Sequence, residues 1–398
     1  MEPRRYDVSI LGGLGHVGLP LGIALAAASL EVCLVDINRR AMEKVTSGEM
    51  PFKESGAEAL LKKLIHRKLF VSLDNSPIVN SRYIVVCLGT PVDEHLNPQF
   101  KLFKHLIDEI VPLLQNDQHL ILRSTVFPGT TRKMRDYLRE QGKKLNITFC
   151  PERISQGNAL DEIRDLPQII GAFDENSRQE AIALFSHLTT DIVVLDPMEA
   201  ELAKLYTNAW RYIQFAIANQ FYQIAAMNGL DFYRIFHGIT HHYPRAATFP
   251  IAGFAAGPCL FKDTMQLAAF SNNNFFLGHA AMLINEGLPN FIVQTLKERY
   301  GLKNRVVGIL GMAFKADSDD KRESLSYKLK KLLEIEAQKV VCSDVYIDDP
   351  EFISPQALIR QAEIVILGTP HAAYADLTLD ESTILADIWN FFGRGGGI

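Results

Sequence analysis

Three glycines lie between a strand-like and a helix-like segment near the start of the chain, in the order Gly13-x-Gly15-x-x-Gly18. Glycines in this pattern allow a tight turn, close approach of the backbone to a pyrophosphate and close packing of helix on strand. The helix that begins there directs its N-terminus at the phosphates. The pattern predicts a βαβ unit that cradles a dinucleotide. The alternative is a glycine-rich turn without a ligand.

An acidic residue ends the next predicted strand. Asp36 lies 18 residues after Gly18, where a carboxylate can hold the 2′-hydroxyl of a ribose. Because a carboxylate would repel a 2′-phosphate, the sequence favours NAD over NADP. Two further loops follow strands and are expected to border the cofactor, with ordinary turns as the alternative. The cofactor-binding residues predicted here are Gly13, Leu14, Gly15, His16, Val17, Gly18, Asp36, Thr90 and Thr125.

Short apolar runs alternate with amphipathic stretches over the first 150 residues and again after Arg305. This alternation predicts βαβ units with parallel sheets. The predicted strands are Val8–Leu11, Glu31–Asp36, Ile84–Leu88, Leu120–Ser124, Ile147–Cys150, Val306–Leu310, Val340–Ser343 and Ile364–Leu367.

The middle of the chain has a different pattern. From Pro197 to about Gly229 it lacks further glycine and proline, and its apolar residues recur at helical spacing, which predicts one helix of roughly 45 Å. The expected fold is therefore α/β, with two Rossmann-like parallel-sheet domains joined by a helical domain. The predicted domains are 1–195, 196–300 and 301–398. The glycine-rich tail Gly393–Ile398 is expected to be disordered.

The composition argues against several classes of function. The net charge is −5 and no block of like charge occurs, so nucleic-acid binding is not indicated. No run of 18 apolar residues predicts a membrane span, and no signal-peptide pattern begins the chain. The five cysteines are scattered without a CxxC pair, so neither a metal site nor a disulfide framework is expected. The expected location is the reducing cytoplasm.

One cysteine follows a loop rich in glycine and alanine. Cys259 lies at the predicted start of a helix, close to Lys262, and both features favour the nucleophilic thiolate. The other four cysteines lie in or beside apolar strands and are expected to be inert. Cys259 is therefore the predicted nucleophile.

Polar residues that could assist a nucleophile occur in two other places. Lys204 and Asn208 are four residues apart on one face of the long helix, where Lys204 could stabilise an oxyanion or orient a water. Glu152 follows a predicted strand and could hold a water. The alternatives are a solvated helix face and a surface carboxylate. A nicotinamide site with a thiolate suggests oxidation of an alcohol, through an aldehyde and a thioester, to an acid.

Several motifs occur in one order along the chain: Gly13–Gly18, Pro51–Glu54, Ser124–Thr131, Pro151–Arg153, Glu201–Asn208, Gly253–Asp263 and Phe314–Ser324. In these motifs the sequence resembles the UDP-glucose/GDP-mannose dehydrogenase family, the nucleotide-sugar 6-dehydrogenases. The resemblance implies NAD as cofactor, a nucleotide sugar as substrate and a homodimer formed through the long helix.

The same resemblance implies roles for individual residues. The catalytic set is Cys259, Lys204, Asn208, Asp263, Glu152 and Thr125, with Cys259 forming the thiohemiacetal and thioester. The substrate-binding set is Glu152, Arg153, Lys204, Asn208, Arg245, Phe249, Phe254, Gly257, Phe314 and Lys315. Arg322 is expected to approach NAD, and Arg245 could reach a substrate across the dimer interface.

Arg153 bears on the choice of sugar. With an arginine at this position, the sequence resembles the family members that oxidise UDP-N-acetylhexosamines, such as UDP-N-acetylmannosamine. UDP-glucose is the second choice of substrate and GDP-mannose the third.

Two other classes of function are alternatives. A 3-hydroxyacid dehydrogenase transfers one hydride and needs no thiol, and a non-enzymatic protein could sense NAD or a nucleotide sugar. Cys259 distinguishes the first class, because a one-step enzyme should tolerate its replacement, and Cys259, Lys204, Asn208 and Asp263 together argue against the second.

Overall fold

The structure is a computed structural model that describes residues 5–89, 100–380 and 382–398. The chain divides into two compact units, Met1–Tyr206 and Thr207–Ile398, and each is described by itself. The three predicted domain boundaries stay a prediction. Among the described residues, no helix has both the length and the apolarity of a membrane span.

The first unit contains one sheet and the helices that cover it. Its strands are β1 (Tyr6–Leu11), β2 (Val32–Val35), β3 (Leu69–Ser72), β4 (Ser81–Val86), β5 (His119–Leu122), β6 (Asn146–Phe149), β7 (Gln168–Ala172) and β8 (Ile192–Leu195). Its helices are α1 (Gly18–Ala27), α2 (Arg39–Thr46), α3 (Ala57–Leu64), α4 (Phe100–Ile110), α5 (Thr130–Glu140), α6 (Ala159–Asp165), α7 (Glu175–Phe185) and the start of α8 (Pro197–Met227).

The strand order of the first sheet is β3-β2-β1-β4-β5-β6-β7-β8. Its first six strands have the order of a doubly wound dinucleotide-binding sheet. All neighbouring strands are parallel except β6 and β7. Every residue of β2 and of β5 is buried, as expected for parallel strands covered by helices on both faces.

The second unit continues α8 and adds a smaller sheet. Its remaining elements are α9 (Phe232–Thr240), α10 (Leu260–Phe270), α11 (Phe276–Tyr300), β9 (Val306–Leu310), α12 (Leu325–Glu336), β10 (Lys339–Ser343), α13 (Pro355–Gln361), β11 (Ile364–Leu367) and β12 (Ile384–Ala386). The strand order is β10-β9-β11-β12, and all pairs are parallel. The predicted α/β fold with two Rossmann-like sheets and one long helix is confirmed.

The predicted strand ends were wrong by one or two residues at four places. β2, β4, β5 and β6 end before the predicted Asp36, Leu88, Ser124 and Cys150. The chain leaves the sheet at these points to form the loops at its carboxyl edge, although amides just beyond the strands, such as those of Cys87 and Cys150, still donate to the neighbouring strands. Ligands of open α/β sheets bind at this edge.

The expectation of a disordered tail was wrong. Ile398 is buried in the hydrophobic core of the second unit, and its carbonyl accepts a hydrogen bond from Arg299 Nη1 at 2.6 Å. A Cβ atom on Gly396 would lie 2.8 Å from the ring of Tyr233. The glycines therefore let the tail pack closely against aromatic rings, and the buried Ile398 anchors its end.

Candidate active site

The loop after β1 forms a cradle with no room for side chains at its base. Gly12 has a φ of +72°, and a Cβ atom on it would lie 2.6 Å from the carbonyl oxygen of Cys87. A Cβ atom on Gly18 would lie 2.4 Å from the carbonyl oxygen of Gly12. Gly15 has more space, because the nearest atom to a Cβ at this position would be 3.5 Å away. Gly12 is a further candidate cofactor-loop residue that the sequence reasoning missed, and the available signal was that it directly precedes Gly13.

The acid directly after β2 faces this loop. Asp36 Oδ2 accepts a hydrogen bond from the Leu14 amide at 3.0 Å, and its Oδ1 accepts one from the Asn38 amide at 3.0 Å. The His16 ring of the same loop lies 4.0 Å from the ring of Phe52, centre to centre. A cradle without side chains, a helix N-terminus at Val17 and a carboxylate at the ribose position fit NAD.

We expect Asp36→Asn to raise the KM for NAD about tenfold, because a hydrogen bond to a charged group contributes about 1.5–3 kcal/mol. The same change should lower the KM for NADP, because the repulsion of a 2′-phosphate is removed. Steady-state kinetics with both cofactors check this. Asp7→Asn is the matched control, since Asp7 lies at the other end of β1 and accepts from the Glu31 amide. Equal changes in the two variants would contradict the role of Asp36.

Glu152 is held by several donors in the first unit. It lies in the loop after β6 and is 9% exposed. Arg123 Nη2 donates to Glu152 Oε2, and the amides of Arg153 and Ile154 donate to Oε1 at 2.7 and 2.9 Å. Arg123 is itself buried and also donates to the Cys150 carbonyl at 3.1 Å. Glu152 is therefore oriented by Arg123, a residue that sequence reasoning missed because the two residues follow different strands and are distant in sequence.

The loop that carries Thr125 is tied to the first turns of α8. Thr125 is half-buried. Glu201 accepts hydrogen bonds from the amides of Gly129 and Thr131 at 2.5 and 2.7 Å and from Thr131 Oγ1 at 2.6 Å. Burial raises the pKa of the Glu201 carboxyl, against the lowering effect of these donors. Lys204, also half-buried, follows Glu201 by nearly one turn.

In the second unit, Cys259 lies at the N-terminus of α10. It occupies the N-cap position, is exposed, and its carbonyl accepts from the Asp263 amide at 2.9 Å. Hydrogen bonding to Asp320 raises the pKa of the Arg322 guanidinium, and a smaller contribution comes from Cys259. Arg322 therefore interacts electrostatically with Cys259 as well as with Asp320, and cations beside a cysteine generally favour its reactive form.

The other four cysteines have a different environment. Burial raises the pKa of each thiol to about 12, and Cys33, Cys87, Cys150 and Cys342 are therefore thiols at neutral pH. Thiols held in this state are poor nucleophiles. Cys259 is the one exposed cysteine of the described residues.

Asn208 on α8 and Asp263, one turn into α10, form a buried pair. Asp263 has no exposed surface, and its Oδ2 accepts a hydrogen bond from Asn208 Nδ2 at 2.5 Å. Its Oδ1 lies 3.5 Å from Lys262 Nζ and has no hydrogen-bond partner among the described residues. A buried carboxylate oxygen in this state is suited to accept a hydrogen bond from a water or a ligand.

The segment after β9 lies against the cysteine loop. The Gly257 amide donates to the Glu323 carbonyl at 3.1 Å, and a Cβ atom on Gly257 would lie 2.5 Å from Phe314 Cδ2. Lys315 follows Phe314 and is half-buried. The structure therefore brings together Gly257 and Phe314, which the sequence placed in one substrate site from distant motifs.

Three other predicted substrate residues have different surroundings. Phe254 is buried in the core of the second unit. Phe249 is half-buried and stacks on Phe221, with ring centres 6.0 Å apart. Arg245 is exposed, with its guanidinium 5.6 Å from the centre of the Tyr243 ring. Their contacts with substrate stay predictions.

An acid after β10 has the same place in the second sheet as Asp36 in the first. Asp344 Oδ2 accepts from the amides of Met312 and Ala313 at 2.7 and 3.0 Å and lies 3.1 Å from His371 Nε2. Burial would raise the pKa of this carboxyl, but the hydrogen bonds from His371 and the backbone hold it below its usual value. Asp344 thereby fixes the turn that leads to Phe314. Its position directly after a predicted strand was the available signal.

The candidate residues divide between the two units. Thr125, Glu152, Arg153 and Lys204 belong to the first unit, with the dinucleotide loop. Asn208, Cys259, Asp263 and the remaining substrate candidates belong to the second. Arg153 lies beside Glu152, and its guanidinium donates to the Pro167 carbonyl. Thr90 lies outside the described residues.

Three domains of the UDP-glucose/GDP-mannose dehydrogenase family match this chain. The NAD binding domain matches residues 6–189, the central domain 198–286 and the UDP binding domain 308–394. A UDP-N-acetyl-D-mannosamine dehydrogenase of Methanocaldococcus jannaschii is 27% identical over 93% of this chain and 87% of its own length.

Solved structures of similar proteins also cover nearly the whole chain. A UDP-D-ManNAc dehydrogenase of Pyrococcus horikoshii has a TM-score of 0.86 at 26% identity, covering 93% of this chain and 91% of its own. A UDP-glucose dehydrogenase of Pyrobaculum islandicum has a TM-score of 0.88 at 25% identity, covering 98% and 99%. The three domain matches and these similar proteins show that the chain belongs to the UDP-glucose/GDP-mannose dehydrogenase family and is an NAD-dependent nucleotide-sugar dehydrogenase.

Proposed function

We propose that this enzyme oxidises the C6 hydroxyl of a nucleotide sugar to a carboxylate in two steps, with Cys259 as the covalent nucleophile. The observation that carries the proposal is the placement of Cys259: exposed, at the N-terminus of α10, near Arg322 and one turn from the buried Asn208–Asp263 pair. A single-step dehydrogenase needs no such thiol.

The proposed reaction consists of two hydride transfers and one hydrolysis. NAD bound in the loop after β1 would accept one hydride, and a second NAD molecule that replaces the first NADH would accept the other. The alcohol first loses a hydride and a proton and becomes an aldehyde. The Cys259 thiolate adds to the aldehyde carbon and gives a thiohemiacetal, which loses a second hydride and becomes a thioester. Water then cleaves the carbon–sulfur bond, releases the carboxylate and restores the thiol. Two NADH form for each sugar.

The other candidate residues act on charge and on water. Lys204 and Asn208 stabilise the negative oxygen that develops when Cys259 adds and when water attacks. Asp263 orients Asn208 and offers its second oxygen to the hydrolytic water. Thr125 and Glu152 help to place that water, and Arg123 keeps the Glu152 carboxylate oriented. A reducing cytoplasm suits an enzyme that depends on a reduced thiol.

For the substrate we propose a UDP-N-acetylhexosamine, with UDP-N-acetylmannosamine first. Arg153 supports this choice, as do the relatives named as UDP-N-acetyl-D-mannosamine dehydrogenases. UDP-glucose is the second candidate, favoured by the similarity to the Pyrobaculum islandicum enzyme.

A substrate panel tests both points. NADH formation at 340 nm is followed with UDP-N-acetylmannosamine, UDP-N-acetylglucosamine, UDP-glucose and GDP-mannose. The proposal predicts the highest kcat/KM with an N-acetylated UDP sugar. A preference for UDP-glucose would correct the sugar and keep the mechanism, whereas inactivity with all four would contradict the proposed substrate class.

We also propose that domains 1–195, 196–300 and 301–398 act together in a homodimer formed through α8. Apolar side chains lie exposed along one face of this helix, at Trp210, Ile217, Phe221 and Ile224. Their separations of seven, four and three residues follow one stripe of an α-helix. Trp210 is 58% exposed, and a contiguous apolar face of this kind is typical of an interface between subunits.

We expect the double change Ile217→Arg and Ile224→Arg to convert the dimer to a monomer, because two buried unpaired charges would strongly destabilise the interface. Sedimentation equilibrium measures the mass of each species. Lys331→Glu on α12, an exposed change of charge away from the stripe, should leave the dimer intact. A wild-type monomer, or a variant dimer of unchanged affinity, would contradict this interface.

A further inference from the structure

A buried asparagine contacts both backbone polar groups of one glycine in the cysteine loop. Asn219 lies in α8 and has no exposed surface. Its Nδ2 donates to the Gly253 carbonyl at 2.9 Å, and its Oδ1 accepts from the Gly253 amide at 2.9 Å. One side chain therefore fixes both the position and the orientation of Gly253.

A second buried amide completes the network. Asn285 of α11 has no exposed surface and accepts from Asn219 Nδ2 at 2.9 Å. Its own Nδ2 donates to the Tyr212 carbonyl at 2.9 Å. Both Nδ2 hydrogens of Asn219 are thus used, one on Gly253 and one on Asn285. A satisfied network of this kind specifies one arrangement, because any shift would leave buried polar groups without partners.

An aromatic ring closes the other side of Gly253. A Cβ atom on Gly253 would lie 2.1 Å from Cζ3 of Trp389. Trp389 is itself oriented, since its Nε1 donates to the Gly368 carbonyl at 3.3 Å. The base of the loop is therefore held between the Asn219 amide and the Trp389 ring.

The path from Gly253 to Cys259 is short and well packed. Phe254 and Ala255 are buried. Two residues further on, Gly257 is fixed by the Glu323 carbonyl and by the Phe314 ring. Cys259 follows at the start of α10. A displacement of Gly253 would therefore move the residues that lead to the sulfur.

We propose that Asn219 is a positioning residue for the reactive thiol, acting through Gly253 on the cysteine loop. The inference rests on the proposed function, because positioning matters only if Cys259 reacts with substrate. Thiol addition requires a near-attack geometry, and a misplacement of about 1 Å can cost about 10²-fold in rate. Asn219 is not expected to touch the substrate.

Asn219→Asp is the sharpest variant because it keeps the size of the side chain. Its carboxylate still accepts from the Gly253 amide, but an oxygen now faces the Gly253 carbonyl and Asn285 Oδ1. Protonation of that carboxyl supplies one donor and relieves part of the repulsion. The defect of this variant should therefore shrink as the pH falls, whereas a loss of packing alone would not depend on pH in this way.

The test measures two rates in parallel on the full-length protein. One is the alkylation of Cys259 by iodoacetamide, followed by peptide mass, which needs no substrate and no turnover. The other is NADH formation from the best nucleotide sugar. Tyr222→Phe is the matched control: Tyr222 is buried on the same helix, and its hydroxyl has no hydrogen-bond partner among the described residues.

We expect Asn219→Ala and Asn219→Asp to lower kcat about 10- to 100-fold, with the KM for NAD unchanged. The rate of Cys259 alkylation should differ from the wild-type rate in both variants. For Asn219→Asp, the ratio of this rate to the wild-type rate should move toward one as the pH is lowered from 8 to 6. Tyr222→Phe should stay within about twofold of wild type. If Asn219→Ala does not fold, Asn219→Asp alone decides.

Wild-type kcat and alkylation in a folded Asn219→Asp variant would overturn the proposal. A pH-independent loss that Tyr222→Phe shares would overturn it as well, because it would indicate packing alone. Failure of the proposed function has a different signature: Cys259→Ser would remain active, while the alkylation measurement would still report the position of the loop.

Discussion

Replacing Cys259 by serine should lower the rate of NADH formation at least ~10³-fold, the effect expected when a covalent nucleophile is removed. A serine hydroxyl does not ionise at neutral pH, so neither the helix N-terminus nor Arg322 can convert it to a good nucleophile. NAD binding should be unchanged, because the loop after β1 belongs to the other unit. Initial rates with the best substrate and NAD titration by fluorescence measure the two quantities.

The matched control for this variant is another cysteine of the same unit. Cys342 is buried in β10, and burial raises the pKa of its thiol to about 12. Cys342→Ala should therefore retain activity within about twofold, since a buried Cys acts as a small apolar residue. Full activity of Cys259→Ser would contradict the thioester mechanism and favour a single hydride transfer.

Asp263→Asn should lower kcat about 10²- to 10³-fold, in the range found when one stabilising polar group of a reaction centre is removed. The variant keeps the shape of the side chain but loses its charge, and it places an amide against Asn208 Nδ2, which in the wild type donates to Asp263 Oδ2. An amide has one oxygen and one nitrogen in place of the two carboxylate oxygens, so the variant cannot accept both from Asn208 and from a water, and its one acceptor lacks the full negative charge.

The expected split between kinetic constants makes this prediction specific. The KM for NAD should stay unchanged, while the hydrolysis of the thioester should slow most, so that a covalent adduct accumulates in Asp263→Asn. Glu334→Gln, which neutralises an exposed carboxylate on α12, is the control and should have wild-type kcat. A normal kcat for folded Asp263→Asn would show that its carboxylate has no part in the reaction.

The sequence predicted the features that depend on residues close together in the chain. The glycine loop, Asp36 and the long helix follow from spacing, because each depends on residues close in sequence. The strands β3, β7, β8 and β12 were not predicted. β3 and β8 are largely half-buried or exposed rather than buried in the core, and β12 has only three residues. β7 pairs antiparallel with β6, outside the βαβ pattern on which the prediction relied.

The contacts that orient the candidate residues were out of reach of the sequence. Arg123 contacts Glu152 across neighbouring strands, Glu201 reaches the turn before α5 from α8, and Asn219 reaches Gly253 from the middle of a helix. In the sequence each of these is a polar residue inside an apolar stretch. Only the fold shows that each one is buried against a specific backbone or side-chain partner.

The most direct test of the two-step mechanism is the stoichiometry of one turnover, with the intact mass of the enzyme recorded at intervals after rapid quenching. The account predicts two NADH for each sugar carboxylate and a transient covalent sugar adduct that maps to the peptide containing Cys259. One NADH for each oxidised sugar, with no adduct on that peptide at any time, would contradict it.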